Sequence, residues 1–139
     1  MSQRKFILLS ILKTWFMAAV ISMIILITYL AATKIPVQDG SPPRNCDMSG
    51  LAYGIVLFWV LSLSLVSISS LFSLLKGFRG NIKRGLCWFA LPVLLAGCFL
   101  AGISGGNIDK ETVVFFLIAD VPWFLIWTFY YYKFISLFK

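Results

Sequence analysis

The sequence predicts an all-α membrane protein: four transmembrane helices in an antiparallel bundle, with the N- and C-termini cytoplasmic. Three observations predict it. Four apolar runs, about residues 14–33, 51–75, 86–105 and 112–131, have membrane-crossing length, since ~20 apolar residues rising 1.5 Å each cover a ~30 Å hydrocarbon core. Charged residues are 12% of the chain and hydrophobic ones 60%; a soluble domain carries about 25% charge, and a chain this short has no interior large enough to hide so much apolar surface. Third, Lys76, Arg79, Lys83 and Arg84 crowd into the connection at 76–85 with no acid among them. Short loops rich in Lys and Arg stay on the cytoplasmic side. That loop therefore orients both helices beside it, and alternation orients the rest of a single domain covering 1–139.

Residues 6–13 read as an interfacial lead-in ending at Lys13, and 14–33 as the first span. A secretory signal peptide has an apolar region of about 7–15 residues and a small-residue cleavage site. The run here is longer and Ala31-Ala32-Thr33 is only a fair site, so the span is expected to be retained. Residues 34–50 form the one long polar stretch. Pro36, Pro42, Pro43, Gly40, Asp39 and Asp47 mark it as turns, placed externally. Its Cys46 has no mate at its own depth, because Cys87 falls at the opposite interface and Cys98 inside the third span. A disulfide needs Cα atoms within ~7 Å. A free thiol and an intermolecular bridge both remain open for Cys46.

The inner half of the second span holds Ser62, Ser64, Ser67, Ser69, Ser70 and Ser73. At 3.6 residues per turn Ser62, Ser69 and Ser73 fall near one face. Such a face serves either as a polar pathway for a solute or as close packing, with hydroxyls bonded to carbonyls one turn back. The third span carries Pro92, expected to kink it. Gly97, Ala101 and Gly105 recur every four residues, and Gly102 with Gly106 makes a second small-xxx-small pair. This is the expected close-packing face, on a neighbour within the bundle or on another copy. Leu94 to Cys98 resembles a lipoprotein cleavage box, but inside a third span such a match is chance.

Residues 106–111 form a short external turn whose Asp109 and Glu111 suit the positive end of the next helix. The fourth span ends in Trp123, Trp127, Tyr130, Tyr131 and Tyr132, an expected aromatic belt at the inner interface. On this topology nine cations and no acid lie inside, against three cations and four acids outside. The net charge of +7 is thus accounted for by topology and anionic headgroups, and nucleic acid is not an expected partner.

Chemistry is sparse. The chain has no histidine, and its three cysteines have no metal-type spacing. No nucleophile–base pair, phosphate loop or metal cluster can be assembled, so neither an enzyme nor a cofactor or metal is expected. Asp120 is the one acid within a span, eight residues into the fourth, and an intramembrane acid is by default a functional-site hypothesis. It has three open roles: a neutral donor to a serine or to a backbone carbonyl near Pro122, a proton or cation carrier, and a charge met by a partner's helix. Ser62, Ser69 and Ser73 are candidates for the same contact.

In topology and in its few membrane acids the architecture is similar to the four-span immunity proteins that protect bacteria from pore-forming colicins. That resemblance implies a multi-pass protein of the bacterial inner membrane whose partner is another integral membrane protein. The function expected is intramembrane recognition, as an accessory subunit or in an immunity-protein-like role, with the bilayer as environment and a homo-oligomer as one possible assembly. The alternative is a small proton- or cation-coupled transporter or channel subunit using Asp120.

Overall fold

Every apolar run forms a helix. The computed structural model describes residues 3–33, 49–75, 80–104 and 110–138. They comprise α1 (Gln3–Thr33), α2 (Ser49–Val66), a 3-10 segment η1 (Ser67–Leu74), α3 (Asn81–Ser104) and α4 (Lys110–Leu137). Four of these stretches are long and apolar enough to cross a membrane: Gln3–Thr33, Gly50–Leu74, Ile82–Gly102 and Thr112–Leu137. Residues 34–48 with Cys46, the cations Lys76 and Arg79, and residues 105–109 lie outside the described residues.

The lead-in at 6–13 and the first span are one uninterrupted helix of 31 residues, about 46 Å long at 1.5 Å per residue. α4, with 28 residues, reaches about 42 Å. Both exceed the hydrocarbon thickness, and they overhang at the same end. Phe6 near the start of α1 lies 6.0 Å from Phe134 and 5.8 Å from Phe138, ring centre to ring centre, near the end of α4. Helix α3 begins there too, since Trp88 lies 5.4 Å from Tyr131. Arg4, Lys5, Lys13, Lys83, Arg84 and Lys133 therefore belong to one end of the bundle. Pro92 and Pro122 both sit inside continuous helices.

α1 packs chiefly on α4 and α2, and α3 chiefly on η1. The buried side of α1 includes Ser10, Thr14, Ala18 and Ser22, a small residue every four positions, which lets backbones come close where lipid supplies no hydrophobic drive. The small-residue face expected on α3 is used differently. A side chain added at Gly97 or Gly102 would meet nothing within 4 Å, and Ala101 is exposed. The reason is the way α3 leans. Its N-terminal half rests on η1, where Ser69 bonds to the Cys87 carbonyl, while its C-terminal half is held to α2 by Phe99, whose ring stacks on Trp59 at 3.7 Å. Gly105 and Gly106 lie outside the described residues.

The second span changes winding at Val66. From Ser67 to Leu74 it is a 3-10 helix, in which residues three apart eclipse one another. Ser64, Ser67, Ser70 and Ser73 then form one row, and all four are buried. Leu65 and Ile68, one position on, are exposed. Runs of 3-10 helix beyond about four residues are uncommon; here small hydroxyl side chains permit tight winding against α1 and α3 and bond back to the chain. Ser67 donates to Leu63 O at 2.7 Å and Ser73 to Ser70 O at 2.6 Å.

Candidate functional site

The interior that these helices enclose is built from indoles and hydroxyls. α4 turns Ala119, Asp120, Trp123, Trp127 and Phe134 inward, a spacing of three and four that keeps them on one helical face. Trp123 and Trp127 are fully buried and do not form the interfacial belt expected of them. Each indole N–H has a partner inside: Trp123 Nε1 donates to Ser64 Oγ at 3.1 Å, and Trp127 Nε1 to the carbonyl of Trp88 at 3.0 Å. Because the bundle supplies acceptors at these two positions, the rings are drawn inside. The Trp88 and Trp127 rings stack at 4.5 Å, and Trp123 follows at 5.5 Å. Tyr132, by contrast, is exposed, as an interfacial residue would be.

Asp120 lies among them, only 3% exposed. Its Oδ1 accepts a hydrogen bond from Trp59 Nε1 of α2 at 3.2 Å. The partner is thus an indole donor, and the serine or backbone acceptor anticipated for a neutral Asp120 is not what it meets. Its second oxygen, Oδ2, is buried without a hydrogen-bond partner. Asp120 points at the bundle centre and not at the surface where another protein's helix would lie.

Further buried polar atoms share that condition: Thr14 Oγ1, Ser22 Oγ, Ser70 Oγ, and the indole nitrogens of Trp15 and Trp88. The register set by Phe6 against Phe134 and Phe138 brings Ser22 level with residues 118–122, the level of Asp120. Thr14 comes level with residues 126–130, around Trp127. Trp88 is stacked on Trp127, and Ser69 donates to the neighbouring Cys87 carbonyl at 3.0 Å, which puts Ser70 at that level as well. Two tiers of unused hydrogen-bonding capacity result, one around Asp120 and one around Thr14, Ser70 and Trp88.

No protein-family model, curated protein or solved structure matches the chain. What the site does has to be read from its own chemistry.

The serines anticipated as one contact face separate. Ser69 and Ser73 are buried on η1, whereas Ser62 bonds back to Phe58 O at 2.9 Å. The 3.6-residue face that would join them ends where the winding tightens. Missed in the sequence were Trp59 as the partner of Asp120, Ser64 as the partner of Trp123, and the alignment of Ser64, Ser67, Ser70 and Ser73 in one row. The row had a visible signal: from Ser64 the chain reads serine, then Leu or Ile, then a third residue, four times over. Among the described residues no three His, Cys, Asp or Glu side chains come together to hold a metal, and Cys87 and Cys98 are free thiols.

Proposed function

We propose that this small all-helical multi-pass membrane protein acts without enzymatic activity, by recognising another integral membrane protein through the outward face of α3. The observation that carries the reading is the open position at Gly97, where an added side chain would touch nothing, one helical turn from the exposed Ala101 on the same face. Small residues facing lipid let a second helix approach backbone to backbone. On this reading Asp120 and Trp59 are an internal clamp that holds α2 on α4 and so presents α3; they do not touch the partner. The excess of cations at the end holding both termini supports a cytoplasmic placement for the 76–85 loop and for both termini. The topological similarity to colicin immunity proteins supports the bacterial inner membrane as its site and an accessory or immunity-like role.

Native mass spectrometry after gentle extraction from the host tests this. Wild type should carry a membrane protein that Gly97→Leu and Ala101→Leu release while the variants stay folded. Wild type and variants running alone, or retaining the same companion, would sink it.

A second reading, a small proton- or cation-coupled transporter or channel subunit, is favoured by the unpartnered Oδ2 of Asp120 level with Ser22. An intramembrane acid with spare hydrogen-bonding capacity at the level of a buried hydroxyl suits a proton relay. Flux in liposomes that Asp120→Asn abolishes, with the fold intact, would favour this reading over recognition.

A further inference from the structure

Beyond the clamp and the α3 face, the bundle has a cleft where the overhanging ends of α1 and α4 meet. Its volume is about 490 Å³, and its floor is aromatic, formed by Phe6, Phe129 and Phe138. Two cations line it, Lys13 from α1 and Lys133 from α4, together with Tyr130; among the described residues no acid lines it. Both lysines are exposed. By the register of the two helices Lys13 lies level with residues 127–131, about one helical turn (~5.4 Å) deeper than Lys133.

We propose that this cleft binds one anionic phospholipid, its phosphate held between Lys13 and Lys133 and the start of an acyl chain lying on Phe6, Phe129 and Phe138. Charge complementarity singles out this occupant. Two ammonium groups with no lining carboxylate attract an anion, and the floor offers nothing to a hydrated soluble one. Basic pockets between transmembrane helices near the interface are where anionic headgroups collect. The depth fits as well. Lysine stems lie along apolar surface and lift their charge to the phosphate level, beside exposed Tyr132. A cleft of a few hundred Å³ is of the size that small ligands fill.

The test is native mass spectrometry of the full chain in detergent, titrated with dioleoyl phosphatidylglycerol or with dioleoyl phosphatidylcholine. These lipids share their chains and differ in net charge. Each lysine near an anionic headgroup is worth roughly fivefold in binding, so phosphatidylglycerol should win by about tenfold or more. The preference should collapse in the double variant Lys13→Gln, Lys133→Gln. It should survive in Arg4→Gln, Arg84→Gln, which loses equal charge at the same end. Phe129→Ala should weaken both lipids alike. Equal binding of the two lipids by wild type overturns the proposal without any variant. So does a preference that falls as far in the arginine pair as in the lysine pair, which would make it a property of the whole cationic end.

Discussion

Trp59 Nε1 and Asp120 Oδ1 meet at 3.2 Å across 61 positions of sequence, and the bond joins the second helix to the fourth in the middle of the bundle. The same indole stacks on Phe99 of α3. One side chain therefore ties three helices together, and Asp120 is held in place by a residue whose other face is fully occupied. The clamp is directional: the indole can only donate, and the carboxyl oxygen accepts.

Trp59→Phe keeps the stack and removes the donor. Asp120 then has neither oxygen bonded, and leaving a buried acceptor unmet costs about 1–3 kcal/mol. Asp120→Asn retains an accepting oxygen and should cost less. Thermal unfolding in detergent of both single variants and the double variant gives the coupling; additive losses would show that the bond contributes nothing.

Ser64 and Ser70 stand in one row with opposite expectations. Ser64 Oγ accepts from Trp123, so Ser64→Ala should leave that indole unpaired and lower stability by about 1 kcal/mol. Ser70 Oγ has no partner, so Ser70→Ala should be neutral or stabilising. A larger loss at Ser70 than at Ser64 would contradict the assignment of the two hydroxyls.

Gly85 sits where α3 passes Tyr131. A Cβ there would stand 3.2 Å from the Tyr131 hydroxyl oxygen, closer than ordinary contact, so the ring must yield by a few tenths of an ångström. Gly85→Ala should therefore give a small loss of melting temperature that Tyr131→Phe relieves. An identical loss in both backgrounds would place its origin elsewhere. At Gly97 and Gly102 nothing lies nearby, and Gly97→Ala should gain slightly from helix propensity, by up to about 1 kcal/mol.

The proposed orientation has its own check. In intact cells an impermeant maleimide should modify Cys46 and spare a cysteine introduced at Asn81. The reverse pattern would turn the whole topology over.

Four helices were legible because each apolar run is long; their ends were less so, since Lys13 and Lys133 interrupt the apolar runs yet lie inside α1 and α4. The rotation of each helix was not. A helix in lipid is apolar on all sides, so its sequence carries little contrast between the face that meets a neighbour and the face that meets acyl chains. That is why Trp123 and Trp127 look like an interfacial belt yet lie inside, and why Trp59 cannot be matched to Asp120 from the chain alone. It is also why the glycines of α3 suggest an internal seam while Ser10, Thr14, Ala18 and Ser22 of α1 form the one that is buried. The serine row failed for a different reason. Its three-residue repeat is plain in the sequence, but a period of 3.6 applied to it collects the wrong members.

The tight winding of η1 also sets a length. At ~2.0 Å per residue in place of ~1.5 Å, its eight residues reach about 4 Å farther than the same stretch coiled as α-helix. Recoiling it would draw Leu75, the residue that follows it, toward the middle of the bundle by that amount. It would also swivel it by about 160°, since each residue would then advance ~100° and not ~120°. The four serines of the row would scatter around the axis, and leucines would be driven against α1. The depth at which the polypeptide leaves the second helix, the direction in which it leaves, and the identity of the side chains facing inward are thus a single geometric choice, and none of them can alter alone.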